Sequence, residues 1–172
     1  LRPELVALKD VNGNAVTFGK LAKQIAETSE FNLILMTEKA EVMKAGVTAA
    51  GFKRPLLYCA TAANADAMGK LAKDNDLPLA IKAESVEALA KLSDKLTGMG
   101  LKDLVLDPGS REPKQANADM IAIRRSALKN GNRSVGFPTI AFPCEMASNL
   151  DVETMLAAMY VAKYGGIVVM SD

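Results

Sequence analysis

Seven short apolar segments recur along the chain, and a helical pattern separates each from the next. Each segment is five or six residues long and nearly continuous in apolar character, which is typical of strands buried on both faces of a parallel sheet. The predicted strands are 5–9, 32–37, 55–60, 78–83, 103–108, 138–143 and 166–171. This alternation of seven strands with six helices predicts an α/β fold built of repeated βα units.

Four of the predicted helices can be placed by apolar residues at three- and four-residue spacing. Their stripes are Phe18, Leu21, Ala22 and Ile25; Val86, Leu89, Leu92 and Leu96; Met120, Ile123 and Ala127; and Val152, Met155, Met159 and Ala162. Thr17 and Ser85 are placed to cap the first two of these helices, because a hydroxyl oxygen accepts a hydrogen bond from a free N–H at a helix start. Gly98 and Gly100 predict the end of the helix that Ser85 caps.

Two α/β architectures fit this pattern, an open doubly wound sheet and a barrel. We favour a TIM-type (β/α)8 barrel, because no segment marks a switch point and no strand has a polar edge. Eight strands complete such a barrel, so seven predict an incomplete one that lacks its first βα unit. The chain begins Leu1-Arg2-Pro3-Glu4 without an initiator Met, and we expect residues 1–172 to be the central barrel domain of a longer protein.

Composition narrows the possible functions. The net charge is +1 and 24% of residues are charged, so no basic field is expected to bind nucleic acid. The apolar segments are too short to span a membrane, and we expect a cytoplasmic location. Cys59 and Cys144 are the only cysteines and read as reduced, packed thiols. Histidine is absent, which removes the commonest general base and metal ligand.

Side-chain alternation predicts which polar residues face the barrel mouth, where active sites of this fold lie. Lys9, Lys82 and Asp107 end their strands on the inward face. Lys82 with Asp107 as acid–base partner would suit Schiff-base chemistry. The alternative, which we favour, is a structural Lys–Asp pair that closes the mouth, since an unpaired charge there would be costly. We therefore assign no catalytic, cofactor-binding or metal-binding residue, and the roles of these three residues stay open.

Other local patterns have ordinary structural interpretations. Gly98-Met99-Gly100 precedes a strand and reads as a helix end rather than a phosphate-binding loop. Residues 107–111, Asp-Pro-Gly-Ser-Arg, read as a tight turn that leaves a strand. Arg124 and Arg125 read as part of a solvated helix face.

Four segments carry a resemblance to a known family. They are RPLLYCAT (54–61), LVLDPGSRE (104–112), MIAIRRSALK (120–129) and VAKYGGIVVM (161–170). They resemble the large (gamma) subunit of the corrinoid iron–sulfur protein, the methyl carrier of the reductive acetyl-CoA pathway. The resemblance covers essentially the whole chain, and its spacing is closer to the bacterial form than to the archaeal one.

The resemblance implies a protein larger than this chain. In that family an N-terminal domain binds a four-iron four-sulfur cluster, a central β/α barrel follows, and a C-terminal domain binds the corrinoid. Only the barrel is matched here, so neither cofactor is expected in this chain and no catalysis is expected from it. The implied partners are the small (delta) subunit, the methyltetrahydrofolate methyltransferase and CO dehydrogenase/acetyl-CoA synthase. The implied role of the barrel is a scaffold.

Two enzymatic hypotheses remain beside the scaffold. A pterin-dependent methyltransferase barrel would need polar residues at several strand ends, and Asp107 is one of them. A Schiff-base lyase would use Lys82 as its nucleophile. Pterin binding and borohydride trapping distinguish these hypotheses from the scaffold and from each other.

Overall fold

The computed structural model of the chain describes residues 4–51 and 53–171. Residues 1–3, on which the expectation of a longer protein partly rests, lie outside this part. The elements in chain order are β1 (Leu5–Lys9), α1 (Ala15–Thr28), β2 (Asn32–Met36), α2 (Ala40–Ala50), β3 (Leu56–Ala60), α3 (Ala65–Asp74), β4 (Leu79–Lys82), α4 (Val86–Gly98), β5 (Leu104–Asp107), α5 (Pro113–Lys129), a 3-10 helix (Arg133–Val135), β6 (Ile140–Ala141), α6 (Pro143–Met146), α7 (Leu150–Ala162) and β7 (Ile167–Val168).

The strands form two groups rather than the single sheet of seven that the sequence predicted. Five belong to one sheet in the order β1-β2-β3-β4-β5, and β6 pairs with β7. The β1/β2, β2/β3 and β6/β7 pairs are all parallel. A single parallel bridge between Leu106 and Thr139 joins β5 to the residue before β6. Pro138 and Pro143 enclose β6, and because proline has no N–H to donate to a ladder, the strand is only two residues long.

The chain divides into two compact units, Leu1–Ala80 with Leu96–Asp103 and Ile81–Lys95 with Leu104–Asp172. In the first unit, β2 and β3 supply the core, and every residue of β3 is buried. Helix α2 approaches α1 closely at Gly46, where a Cβ atom would lie 2.6 Å from Cε1 of Phe18. Glycine at this position therefore lets the two helices pack against each other.

The start of α1 differs from the prediction. The helix begins at Ala15, so the cap is Asn14 and Thr17 lies inside the first turn. The Asn14 side chain accepts hydrogen bonds from the N–H groups of Val16 and Thr17, at 3.0 and 3.1 Å. Asparagine caps a helix as well as serine or threonine does, because its side-chain oxygen also accepts hydrogen bonds from N–H groups of the first turn. Leu21, expected on that stripe, is 43% exposed.

The cap of α4 agrees with the prediction. The Ser85 hydroxyl oxygen accepts a hydrogen bond from the Ala88 N–H at 3.1 Å. The helix ends at Gly98, and Gly100 has a φ of +99°, a conformation that glycine adopts without steric cost. The sequence pattern was sufficient to place both ends of α4, because serine favours a helix start and glycine a helix end.

In the second unit, the face that α7 buries coincides only in part with the predicted stripe, of which Val152 and Met159 pack, partly buried, against the core. The buried residues are Glu153, Leu156, Ala157 and Tyr160. Met155, expected on the apolar stripe, is 65% exposed. The apolar residues of α7 are distributed around the whole helix, so periodicity alone does not select the face that packs.

Glu153 on α7 gives the second unit a pH-dependent contact. Its carboxylate accepts hydrogen bonds from the Ser171 backbone N–H at 2.6 Å and from the Ser171 hydroxyl at 2.7 Å. These hydrogen bonds lower the pKa of Glu153 below its ordinary value of 4.5. A carboxylate with a lowered pKa in the folded state stabilises that state above the unfolded pKa. The stabilisation is lost as the pH falls through the lowered value.

We expect the Glu153→Gln variant to show this dependence. The variant should be less stable than the wild type at neutral pH, because it lacks the charged acceptor. The difference should shrink as the pH falls from 4.5, the ordinary value, through the lowered pKa of the folded carboxylate, where the wild-type side chain becomes protonated. Urea titrations across that pH range measure it, and a difference that does not vary with pH would contradict the assignment.

Candidate functional site at the carboxyl ends of the strands

Asp107, the last residue of β5, is fully buried and its carboxylate is bound on both oxygens. Arg111 donates from Nη2 to Oδ2 at 2.8 Å and from Nη1 to Oδ1 at 3.1 Å. The Gly109 N–H donates to Oδ1 at 2.8 Å. The planar guanidinium matches a carboxylate in this two-point geometry, which is stronger and more specific than a single contact.

The turn after β5 makes this geometry possible. Gly109 has a φ of +80°, and a Cβ there would lie 3.3 Å from the carbonyl oxygen of Ala83. Glycine is therefore required twice, for its conformation and for the close approach. The reversal of the chain at Gly109 brings Arg111 back over the strand end that it has just left.

Arg111 also binds a second carboxylate and an aromatic ring. Its Nε donates to Oε2 of Glu145 on α6 at 2.7 Å. Its guanidinium carbon lies 4.5 Å from the centre of the Phe142 ring. A cation over an aromatic face is attracted by the ring quadrupole, and the ring limits the directions in which the side chain can move. Arg111 thus joins β5 to the segment that follows β6.

The loop that carries Arg111 is tied to α5. The Ser110 hydroxyl donates to Asp119 at 2.5 Å, and the Gln115 side-chain amide donates to the same carboxylate at 2.7 Å. Glu112 caps α5 by accepting from the N–H groups of Lys114 and Gln115. These contacts hold residues 107–112 in one conformation, as a supporting shell must if it is to position a charged cluster.

Lys82, at the end of β4, lies beside this turn. Its Cε is 3.8 Å from the position that a Cβ on Gly109 would take, and the side chain is half-buried. Backbone atoms join the two strand ends, since the Ala83 N–H donates to the Asp107 carbonyl at 3.3 Å. The structure therefore brings Lys82 close to the Asp107 loop, while a direct Lys82–Asp107 ion pair stays a prediction. Lys9 ends β1 in the first unit and is exposed.

Sequence reasoning missed three members of this cluster. The sequence pattern predicts an ordinary turn at Arg111, and no pattern indicates Phe142 or Glu145 as site residues. A signal existed for Arg111, because an arginine four residues after a buried strand-end aspartate can fold back on it across a glycine turn. No local signal existed for Glu145, which is 34 residues away from Arg111 in the sequence.

Two groups near this cluster, Cys144 and Tyr160, have raised pKa values. Burial, followed by the charges of Glu145 and Glu153, raises the pKa of the Cys144 thiol. A raised pKa keeps the thiol protonated at neutral pH, and the thiol is a poor nucleophile. Burial also raises the pKa of Tyr160, whose hydroxyl donates to the Met146 sulfur at 3.6 Å. Neither group is a ready base.

The described residues offer no place for a protein-bound metal or a membrane span. Within residues 4–51 and 53–171, no three His, Cys, Asp or Glu side chains group closely enough to bind a metal ion. In the same ranges, no helix is both long and apolar enough to cross a membrane. The cluster at Asp107 is an ion network in which a buried carboxylate pairs with a guanidinium.

Solved structures confirm the fold class. The chain is similar to a dihydropteroate synthase from Yersinia pestis, with a TM-score of 0.67 and 14% identity over 98% of this chain and 77% of that one. It is also similar to the enzyme from Xanthomonas albilineans, with a TM-score of 0.63 and 16% identity over 97% and 72% of the two chains. Both are TIM-barrel proteins, and at this identity the likeness concerns the fold alone.

Curated relatives agree with the resemblance to the large (gamma) subunit, and a family model matches the chain to a subunit of CO dehydrogenase/acetyl-CoA synthase. The large subunit of the corrinoid/iron–sulfur protein of Moorella thermoacetica is 40% identical over 97% of this chain and 37% of its own length. Acetyl-CoA decarbonylase/synthase complex subunit gamma 1 of Methanosarcina mazei is 30% identical over 96% of this chain and 38% of its length. The chain thus spans well under half of these relatives. The CdhD model, described as CO dehydrogenase/acetyl-CoA synthase delta subunit, matches residues 1–172, and the chain belongs to that family.

Proposed function

We propose that this chain is the scaffold barrel of a corrinoid iron–sulfur methyl carrier. In the proposal, the carrier receives a methyl group from methyltetrahydrofolate through a methyltransferase and passes it to acetyl-CoA synthase. The observation that carries it is the 40% identity, along 97% of the chain, to a protein named corrinoid/iron–sulfur protein large subunit. The chain covers 37% of that relative, so the corrinoid and the iron–sulfur cluster in the relative's name can belong to the parts of the relative that this chain does not match.

The geometry at the strand ends supports a scaffold over an enzyme. Asp107 is buried and fully engaged by Arg111 and Gly109. A catalytic carboxylate must exchange a proton with substrate, and this one already accepts two hydrogen bonds from a cation and one from a backbone N–H. Since histidine is absent from the whole chain, no alternative base of ordinary neutral pKa is available.

The domain organisation follows from the same proposal. Residues 1–172 form the central barrel portion, and the first βα unit, the iron–sulfur domain and the corrinoid domain belong to other parts of the polypeptide. The small subunit, the methyltransferase and CO dehydrogenase/acetyl-CoA synthase are its partners. In this scheme the barrel holds the cofactor domains and the partner subunit together, and chemistry takes place on the corrinoid.

Replacing Lys82 by methionine in the full-length carrier tests the scaffold. We expect methyl transfer from methyltetrahydrofolate to acetyl-CoA synthase to change by less than about twofold. The loss of stability should be a few kcal/mol at most, because apolar packing can often replace a structural charge. Lys91→Met, on the exposed face of α4, is the matched control and should change neither quantity.

The Lys82→Met variant would contradict the scaffold proposal if Lys82 is catalytic. A rate that falls by orders of magnitude in a stably folded Lys82→Met protein would show that the lysine takes part in chemistry. Borohydride trapping with a carbonyl substrate would then identify a Schiff base. Calorimetric binding of a pterin to the barrel, lost in Asp107→Asn but kept in Lys91→Met, would instead identify a pterin-dependent methyltransferase.

A further inference from the structure

The second half of α5 and the 3-10 helix after it form a local basic surface. Arg124, Arg125, Lys129 and Arg133 are all exposed, and no acidic residue occurs between Asp119 and Glu145. The chain as a whole has a net charge of only +1, so this excess is local. None of the four cations has an ion-pair partner among the residues that the structure describes.

A large apolar side chain lies within this basic surface. Leu128 is 67% exposed. It follows Arg124 and Arg125 by four and three residues and Ile121 by seven, so all four share one face of the helix. Lone exposed leucines are common, but a leucine surrounded by unpaired cations is a typical composition for the centre of a protein interface.

A groove runs along the same helix. It has a volume of about 520 Å³ and lies between the start of α4 and α5. Its lining combines apolar side chains with two opposite charges and two polar groups: Val86, Ala118, Ile121 and Ala122, the charged Glu87 and Arg125, and the polar Ser126 and Asn130. Ile121 and Arg125 therefore belong both to the groove and to the face that carries Leu128, which makes one continuous surface. We call Ile121, Arg124, Arg125, Leu128, Lys129 and Arg133 with this groove the α5 surface.

We propose that the α5 surface is a docking site for an acidic amphipathic helix of another protein. A helix can place apolar side chains at three- and four-residue spacing into the groove and against Leu128. Its flanking carboxylates then pair with the four cations, which gives the interaction its specificity and its association rate. The occupant must be acidic because the α5 surface offers almost no negative charge to a basic one.

Three other occupants fit less well. A second copy related by a two-fold axis would set the same positive surface against itself. Nucleic acid would meet Glu87 and Leu128 where phosphates need cations, and four cations are few for stable duplex binding. A membrane would leave the concave groove unfilled, since only Leu128 projects from the face.

The test uses the full-length carrier and a labelled synthetic peptide of about 16 residues with leucines at helical spacing and glutamates elsewhere. We expect micromolar binding that weakens with salt, and binding at least about tenfold weaker for the counterpart with lysines in place of glutamates. Arg124→Glu combined with Arg125→Glu, and separately Leu128→Asn, should each weaken binding by about tenfold or more.

Matched controls separate a defined site from general attraction. Lys20→Glu with Lys44→Glu makes the same charge change on exposed lysines of α1 and α2. Val16→Asn replaces an apolar residue that is also 67% exposed. Both controls should keep binding within about twofold. Circular dichroism verifies that every variant is folded.

Four results would overturn the proposal. They are the absence of peptide binding to the folded carrier, equal loss in the charge variants and their controls, unchanged binding in Leu128→Asn, and tighter binding of duplex DNA or phosphatidylserine vesicles than of the acidic peptide. The third would show attraction by charge alone. The fourth would assign the surface to a different class of partner.

Discussion

Replacing Arg111 by methionine should lower the free energy of unfolding by about 3 kcal/mol, which is typical for breaking a buried ion pair. The Asp107 side chain is 1% exposed, and without Arg111 its carboxylate loses both hydrogen bonds from the guanidinium. Methionine preserves much of the volume and the contact with Phe142, so the loss reports on the stranded charge rather than on a cavity. Urea denaturation followed by circular dichroism measures it.

An exposed arginine gives the matched control. Arg54 pairs with Asp103 at 2.7 Å, but the two side chains are 53% and 54% exposed. Arg54→Met should therefore cost much less stability than Arg111→Met, because water solvates the remaining aspartate. Adding Asp107→Asn to Arg111→Met should recover part of the lost stability, since the uncompensated charge is then removed. Equal losses at Arg54 and Arg111 would show that burial of Asp107 does not matter.

The polar residues at the strand ends could be predicted in part, because one physical rule decides which side of a strand each side chain faces. Alternation along a short buried strand decides which residues face the same way, and this identified Asp107 and Lys82 correctly as residues at the ends of neighbouring strands. The rule says nothing about a side chain that returns from a loop. Arg111 depends on the conformation of Gly109, and Glu145 depends on where β6 ends, so neither partner is encoded in a local period.

The difference between local patterns and tertiary contacts also explains which parts of the fold could be predicted. Strands β1 to β5 were predicted well because each is a continuous apolar run without an internal proline. The β6 segment has the same apolar content, but Pro138 and Pro143 limit its ladder to two residues. The position of helix α7 was predicted correctly and its buried face only in part, since a helix that is apolar all round fits several orientations. Tertiary packing selects among them.

Gly165 shows how such packing can make a small residue essential. Helix α7 ends at Ala162, and Tyr164, not glycine, adopts the left-handed conformation, with a φ of +72°. The Gly165 N–H then donates to the carbonyl oxygen of Tyr160 at 2.9 Å. A Cβ on Gly165 would lie 2.8 Å from that same oxygen and 3.1 Å from Cγ2 of Val168. The glycine is needed for close approach to backbone.

We expect Gly165→Ala to cost about 2 kcal/mol of stability, because a backbone carbonyl cannot move aside as a flexible side chain can. The displaced carbonyl belongs to Tyr160, whose ring is fully buried in the core with Met120, Ala141 and Leu156, so the strain reaches that core. Gly98→Ala is the matched control. No atom lies within 4 Å of its Cβ position, and alanine at this helix end should be neutral or slightly stabilising. Urea titrations of the two variants compare them directly. Equal stabilities would mean that the turn after α7 relaxes freely, and that Gly165 is not required for the approach of α7 to β7.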